Sequence, residues 1–91
     1  MDSKNYEFAN YLKEVRTSRK ITLVDLAKIA GTSNSYLSQL ENAKRNPPKP
    51  DLWKSIAAGL ARHDANEAHI LYEELMKKAG YIPDITGAGI V

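Results

Sequence analysis

On a helix turning about 100° per residue, Ser35, Ser38, Gln39 and Asn42 gather within an arc of roughly 100°, opposite Leu37 and Leu40. That outward face carries hydroxyls and amides and no charge, where an exposed helix usually carries Lys and Glu. Hydroxyls and amides both donate and accept hydrogen bonds, which suits them to base edges in a DNA groove. Gln and Asn can pair bidentately with adenine, and Ser is less selective. The plain alternative is a polar helix face with no partner. Other chemistries find less support. His69 and Glu73 share one face of a helix at a spacing that can hold a metal, but no third ligand is evident, and a surface ion pair is the simpler reading. Seven serines and threonines precede Tyr36, none with a Gly-rich elbow or a neighbouring His, so no nucleophile is supported. There is no P-loop and no dinucleotide fingerprint. These observations point to a protein that is not an enzyme and uses no cofactor and no metal.

A helix that offers such a face must be held by others. Residues 22–42, TLVDLAKIAGTSNSYLSQLEN, read as two short helices joined by a tight turn. Leu23, Leu26 and Ala27 begin an apolar stripe that Ile29 and Ala30 continue. Gly31 breaks it, as a residue able to take positive φ at a helix end would. Thr32 and Ser33 both suit the N-cap of the next helix, which runs from about Ser33 to Asn42.

Around this pair the chain predicts three further helices. The first covers residues 3–19, capped by Ser3 or Asp2, with Phe8, Tyr11, Leu12 and Val15 on one face. Arg16 lies beside that face, and Arg19 and Lys20 near the helix end suit the helix dipole. Thr22 and Asp25 form a capping-box variant for the second helix. Residues 43–49, AKRNPPK, form a loop, since two prolines forbid a continuing helix. Its three cations and Asn46 offer donors to phosphate. Pro50 opens a fourth helix, whose buried face is Leu52, Trp53, Ile56, Ala57 and Leu60. Gly59 within it costs roughly 1 kcal/mol against Ala, a cost that close helix packing would explain. Asp64 and Glu67 make a capping pattern for a fifth helix reaching about Ala79. Its inner stripe is Ala68, Leu71, Leu75 and Ala79, widened by Tyr72 and Met76. Gly80 sits at its end, and Tyr81 can fold back onto Met76 in a Schellman motif. Residues 81–91 do not read as helix, yet four of these eleven are Ile or Val, more apolar than a free tail. Such a segment can dock on the domain, pair with another copy, or lead into a further part.

The chain of 91 residues is long enough for one domain of residues 1–80 with a modest core, followed by the apolar tail 81–91. It has no cysteine, so neither a disulfide framework nor a thiolate metal site is expected, and an intracellular location is compatible. No apolar run approaches the ~20 residues of a membrane span, and the first residues lack the apolar core of a signal peptide. The net charge of +2 is uneven: nine Lys/Arg face five Asp/Glu in residues 1–49, and four face six in residues 50–91. The basic half carries the helix pair, the layout expected of a nucleic-acid binder whose other half faces elsewhere.

The stretch resembles the helix-turn-helix of the Cro and phage-repressor family, also called the Xre family. The residues that carry the likeness are Thr22 before the first helix of the pair, Leu26-Ala27 within it, Gly31 at the turn, Tyr36-Leu37 and Leu40-Glu41 in the second, then Arg45 and Pro47. Two positions depart from the common pattern: Leu23 stands where the family often has a backbone-touching Gln, and Ala43 where a Gly often ends the recognition helix. The resemblance implies an all-α, five-helix, lambda-repressor-like DNA-binding domain with a non-helical tail. It implies that Asn34, Ser35, Ser38 and Gln39 point into the major groove, and that Arg16 meets Glu41 beneath the DNA-facing surface. Thr22, Ser33, Tyr36, Asn42, Lys44 and Arg45 are candidates for phosphate contacts, through helix N-termini and cationic or hydroxyl side chains. The expected function is sequence-specific transcriptional regulation, as a repressor of bacterial or phage type at the nucleoid in the cytoplasm. The expected partner is a palindromic operator in double-stranded DNA, bound by a homodimer. The fifth helix, residues 64–79, and the tail are the first choice for the dimer surface or a protein partner. A second reading of the same scaffold is a protein-interaction module, an antitoxin or anti-repressor partner. The apolar Leu23 and the small net charge fit it.

Overall fold

The computed structural model describes residues 3–81, with side chains from Asn5 onward. Asp2, one of the two expected caps of the first helix, and the tail beyond Tyr81 lie outside the described residues. Within them the chain forms five helices and no strand: α1 Ser3–Ser18, α2 Leu23–Ala30, α3 Asn34–Glu41, α4 Pro50–Leu60 and α5 Ala65–Lys78.

The helix starts follow capping chemistry. The Thr22 hydroxyl accepts from the Asp25 N–H at 3.0 Å, and the Ser33 hydroxyl accepts from the Tyr36 N–H at 3.1 Å. Asp64 accepts from the Asn66 and Glu67 N–H groups, and Pro50 supplies the preset φ that opens α4. The helix ends share one device. Beyond each helix one residue turns left-handed, and the N–H of the next residue reaches back five positions. These residues are Lys20, Gly31, Ala43, Arg62 and Gly80, and after α4 His63 is left-handed as well. The closing bonds include Thr32 to Ala27, Lys44 to Gln39 and Tyr81 to Met76, at 2.8–2.9 Å.

α4 packs on α2 and α5, α1 on α3 and α5, and α2 on α3. Phe8, Leu12, Leu26, Leu37, Leu40 and Trp53 are wholly buried between them. Phe8 and Trp53 meet edge to face, 5.3 Å between ring centres. Gly59 lets α4 approach α2 closely: a Cβ there would lie 2.8 Å from Leu26 Cδ1. Two expectations are corrected. Ile29, placed in the α2 stripe, is 45% exposed, so that helix seals the core with Leu26, Ala27 and Ala30, Leu23 packing partly against it. Glu67 does not serve a reciprocal capping box. Its carboxylate accepts two hydrogen bonds from Arg19, at 2.7 and 2.8 Å, and Arg19 also donates to the Leu60 carbonyl. Arg19 therefore ties the end of α1 to the α4–α5 corner.

The bonds from Arg19 hold the Glu67 carboxyl below its ordinary pKa of 4.5, against partial desolvation. A carboxyl whose pKa falls on folding stabilises the fold above its unfolded pKa, and this is lost as pH drops through the folded value. Wild type is therefore expected to melt above Glu67→Gln at neutral pH, with the two converging as pH falls below 4.5. A gap of constant size across that range would show that the pair contributes nothing through ionisation.

Candidate nucleic-acid interface

α3 is seated by its apolar side and by an ion pair beneath it. Leu37 and Leu40 are fully buried, which turns the opposite face outward. Glu41, its last residue, accepts from Arg16 Nε at 2.6 Å and from the second guanidinium branch at 2.9 Å, while the remaining branch donates to the Ile21 carbonyl at 2.8 Å. The side chains are only 12% and 4% exposed. The bonds to Glu41 hold Arg16 more firmly protonated than usual, outweighing its burial. One contact thus joins α1, the α1–α2 turn and the end of α3.

On the outer face, Asn34 and Ser35 are exposed and Ser38 and Gln39 half-buried. Asn42 is exposed, but its side-chain amide donates to the Ser38 carbonyl at 2.8 Å, so part of its donor capacity closes the helix. The exit from α3 answers the absence of a glycine: Ala43 takes φ 59° and stays buried, its methyl in the core. This turn sends Lys44 and Arg45 back along the helix. Arg45 Nε donates to Gln39 Oε1 at 2.6 Å, and its guanidinium lies over the Tyr36 ring, 5.4 Å from the centroid. Burial pushes the Tyr36 hydroxyl above its ordinary pKa of 10.0, Arg45 pulling the other way, so at neutral pH it stays a hydrogen-bond donor.

Tyr36, Lys44 and Arg45 line one open depression of about 520 Å³, together with Asn5, Ala43 and Asn46. Thr22, Ser33 and Asn42 do not line it. The hydroxyls of Thr22 and Ser33 are spent as acceptors at their own helix starts, which leaves each O–H free to donate outward. Asn5, buried on the first turn of α1, was not legible in the sequence as part of this site, since a lone polar residue near a helix start carries no signal. Tyr81 also belongs to the site's support: its hydroxyl donates to the Pro48 carbonyl at 2.9 Å, anchoring the loop that carries Lys44 and Arg45. Leu23 packs on the core, so its apolar character says little for a protein partner.

A helix-turn-helix family profile matches residues 12–61, which hold the end of α1, α2, the turn, α3 and all of α4. The chain belongs to the Cro/C1-type helix-turn-helix family. Among curated proteins it is similar to the HTH-type transcriptional repressor RghR of Bacillus subtilis (strain 168), 40% identical over 78 residues that cover 86% of this chain and 52% of the relative. It is also similar to an uncharacterized HTH-type transcriptional regulator, RghRB, of the same strain, 40% identical over 75 residues covering 82% of this chain and 48% of the relative. The chain thus spans about half the length of the curated relatives it matches. No solved structure matches significantly. No helix among the described residues is long and apolar enough to cross a membrane.

Proposed function

We propose that this Cro/C1-type domain binds specific duplex DNA and regulates transcription, as a repressor. The observation that carries the reading is the uncharged hydroxyl-and-amide face of α3, held outward by buried Leu37, Leu40 and the Arg16–Glu41 pair, beside a cationic loop. α3 enters the major groove, with Asn34, Ser35, Ser38 and Gln39 toward base edges. Thr22, Ser33, Tyr36, Asn42, Lys44 and Arg45 take backbone phosphates. The open depression that Tyr36, Lys44 and Arg45 line together supports a phosphate contact there. One α3 spans few base pairs, so two copies act on a palindromic operator whose half-sites lie about one helical turn apart. Ile70, 59% exposed on α5, favours that helix and the adjoining tail as the surface where the copies meet. The site of action is the nucleoid, in the cytoplasm.

Selection from random duplexes tests this. The wild type should enrich a two-fold sequence. Asn34→Ala should relax one position in each half-site, at a loss of about 1–3 kcal/mol for the preferred base. Lys44→Ala should weaken every sequence alike. A wild-type pool with no enriched sequence, even at low salt, overturns the proposal.

A further inference from the structure

Of Asn34, Ser35, Ser38 and Gln39, Gln39 is the one whose side chain is already hydrogen-bonded among the described residues. Arginine has donors only, so the Gln39 atom 2.6 Å from Arg45 Nε must be the carbonyl oxygen, and the amide nitrogen occupies the other branch. The orientation is braced from several sides. The guanidinium lies over the Tyr36 ring, and Tyr36 packs on the core. The Lys44 N–H donates to the Gln39 backbone carbonyl at 2.8 Å, so the loop is tied to the same residue through main chain and side chain. Arg45 makes no other hydrogen bond among the described residues, so its tie to the outer face runs through Gln39.

We propose that Arg45 is a positioning residue for base specificity: it holds Gln39 Oε1 so that Gln39 offers the DNA donors only, selecting guanine where an unrestrained Gln would select adenine. This rests on the DNA-binding reading above. Adenine presents an acceptor and a donor in the major groove, and a Gln reads it by giving one hydrogen bond and taking one. With its oxygen already accepting from Arg45, Gln39 leads with its N–H groups, and an adenine amino group must compete with Arg45 for the acceptor. Guanine presents two acceptors, N7 and O6, which match a head made of N–H groups. The restraint comes from the loop after α3. Leu23, at the start of α2, packs on the core and supplies no polar support to this face.

The test is binding-site selection with wild type, Gln39→Ala, Arg45→Ala and the double variant, at one salt concentration. Gln39→Ala and Arg45→Ala should alter the same single position of each half-site and leave the others unchanged. At that position Arg45→Ala should shift the guanine-to-adenine ratio toward adenine by about fivefold or more, the lower end of what one bidentate base contact is worth. The double variant should match Gln39→Ala there, because Arg45 acts through Gln39. In the free protein, the Arg45 Nε–H signal in a nitrogen–proton NMR spectrum should be slow to exchange and should lose that protection in Gln39→Ala. The proposal is overturned if Arg45→Ala weakens all sequences equally with the base pattern intact, or if it changes the pattern equally in the Gln39→Ala background. A palindrome enriched by wild type but untouched by Arg45→Ala sinks this proposal alone. A wild-type pool without enrichment sinks the DNA-binding reading as well.

Discussion

Glu41→Ala is expected to destabilise the domain by about 3–5 kcal/mol, because it strands a guanidinium in a site built to neutralise it. Arg16 is bound at 2.6 and 2.9 Å by Glu41, and its side chain is only 12% exposed. Its remaining bond, to the Ile21 carbonyl, cannot replace a carboxylate. Domains of this size are stable by only about 5–15 kcal/mol, so the variant would approach the edge of folding, with a melting temperature lower by about 15 °C or more. Arg16→Lys should also lose stability, since a point charge cannot reproduce a planar two-branch contact. The double variant Arg16→Met/Glu41→Leu separates the causes: it removes both charges and should recover most of the loss. Thermal or urea unfolding followed by circular dichroism reads all of these. A Glu41→Ala loss below about 1 kcal/mol would place the pair with ordinary surface bridges. The consequence reaches the DNA face, because Glu41 is the last residue of α3 and Arg16 is its anchor on α1.

The elements that position this site were legible where a local signal specifies them. Thr22, Ser33 and Asp64 announce helix starts through chemistry that needs only the next few residues, and the apolar spacing in α1, α4 and α5 marks the buried faces. Helix ends divide. All five close on a left-handed residue, but only Gly31 and Gly80 advertise it. At Lys20, Ala43, Arg62 and His63 the same conformation is carried at about 1–2 kcal/mol per residue, offset by packing that no local pattern records. The α2 stripe misled at Ile29 for a related reason: periodicity gives a direction but not whether a neighbour stands there. α4 approaches α2 at Gly59, close by Ile29, yet leaves much of that side chain uncovered. Long-range polar partners were least legible. Arg19 and Glu67 lie 48 positions apart, each with a sufficient local reading, and only the fold reveals that they satisfy each other. Gln39 and Arg45 were each singled out for DNA. Their mutual bond depends on the turn at Ala43, whose left-handed φ the sequence did not signal.

The affinity for DNA is expected to fall about 10²–10³-fold between 50 and 200 mM salt, which follows from the loop that leaves α3. Lys44 and Lys49 are exposed on it, and Arg45 lies between them over Tyr36. Each cation that neutralises a phosphate releases counterion, with a slope of about −0.9 per contact in log K against log salt. Two copies with two lysines each give four contacts and a slope near −3.6; adding Arg45 in each copy gives six and a slope near −5.4. If Arg45 is committed to Gln39, the measured slope should sit toward the smaller figure. Lys44→Ala should then lower the slope magnitude by about 2, one unit for each copy, while leaving the preferred sequence unchanged. A drop of only about 1 would mean that a single copy occupies the site. A slope close to zero in the wild type would mean that no polyanion is bound. The uncharged face of α3 would then have to meet a protein, and the exposed apolar residues Val24, Ile29 and Ile70 would become the surfaces to mutate next.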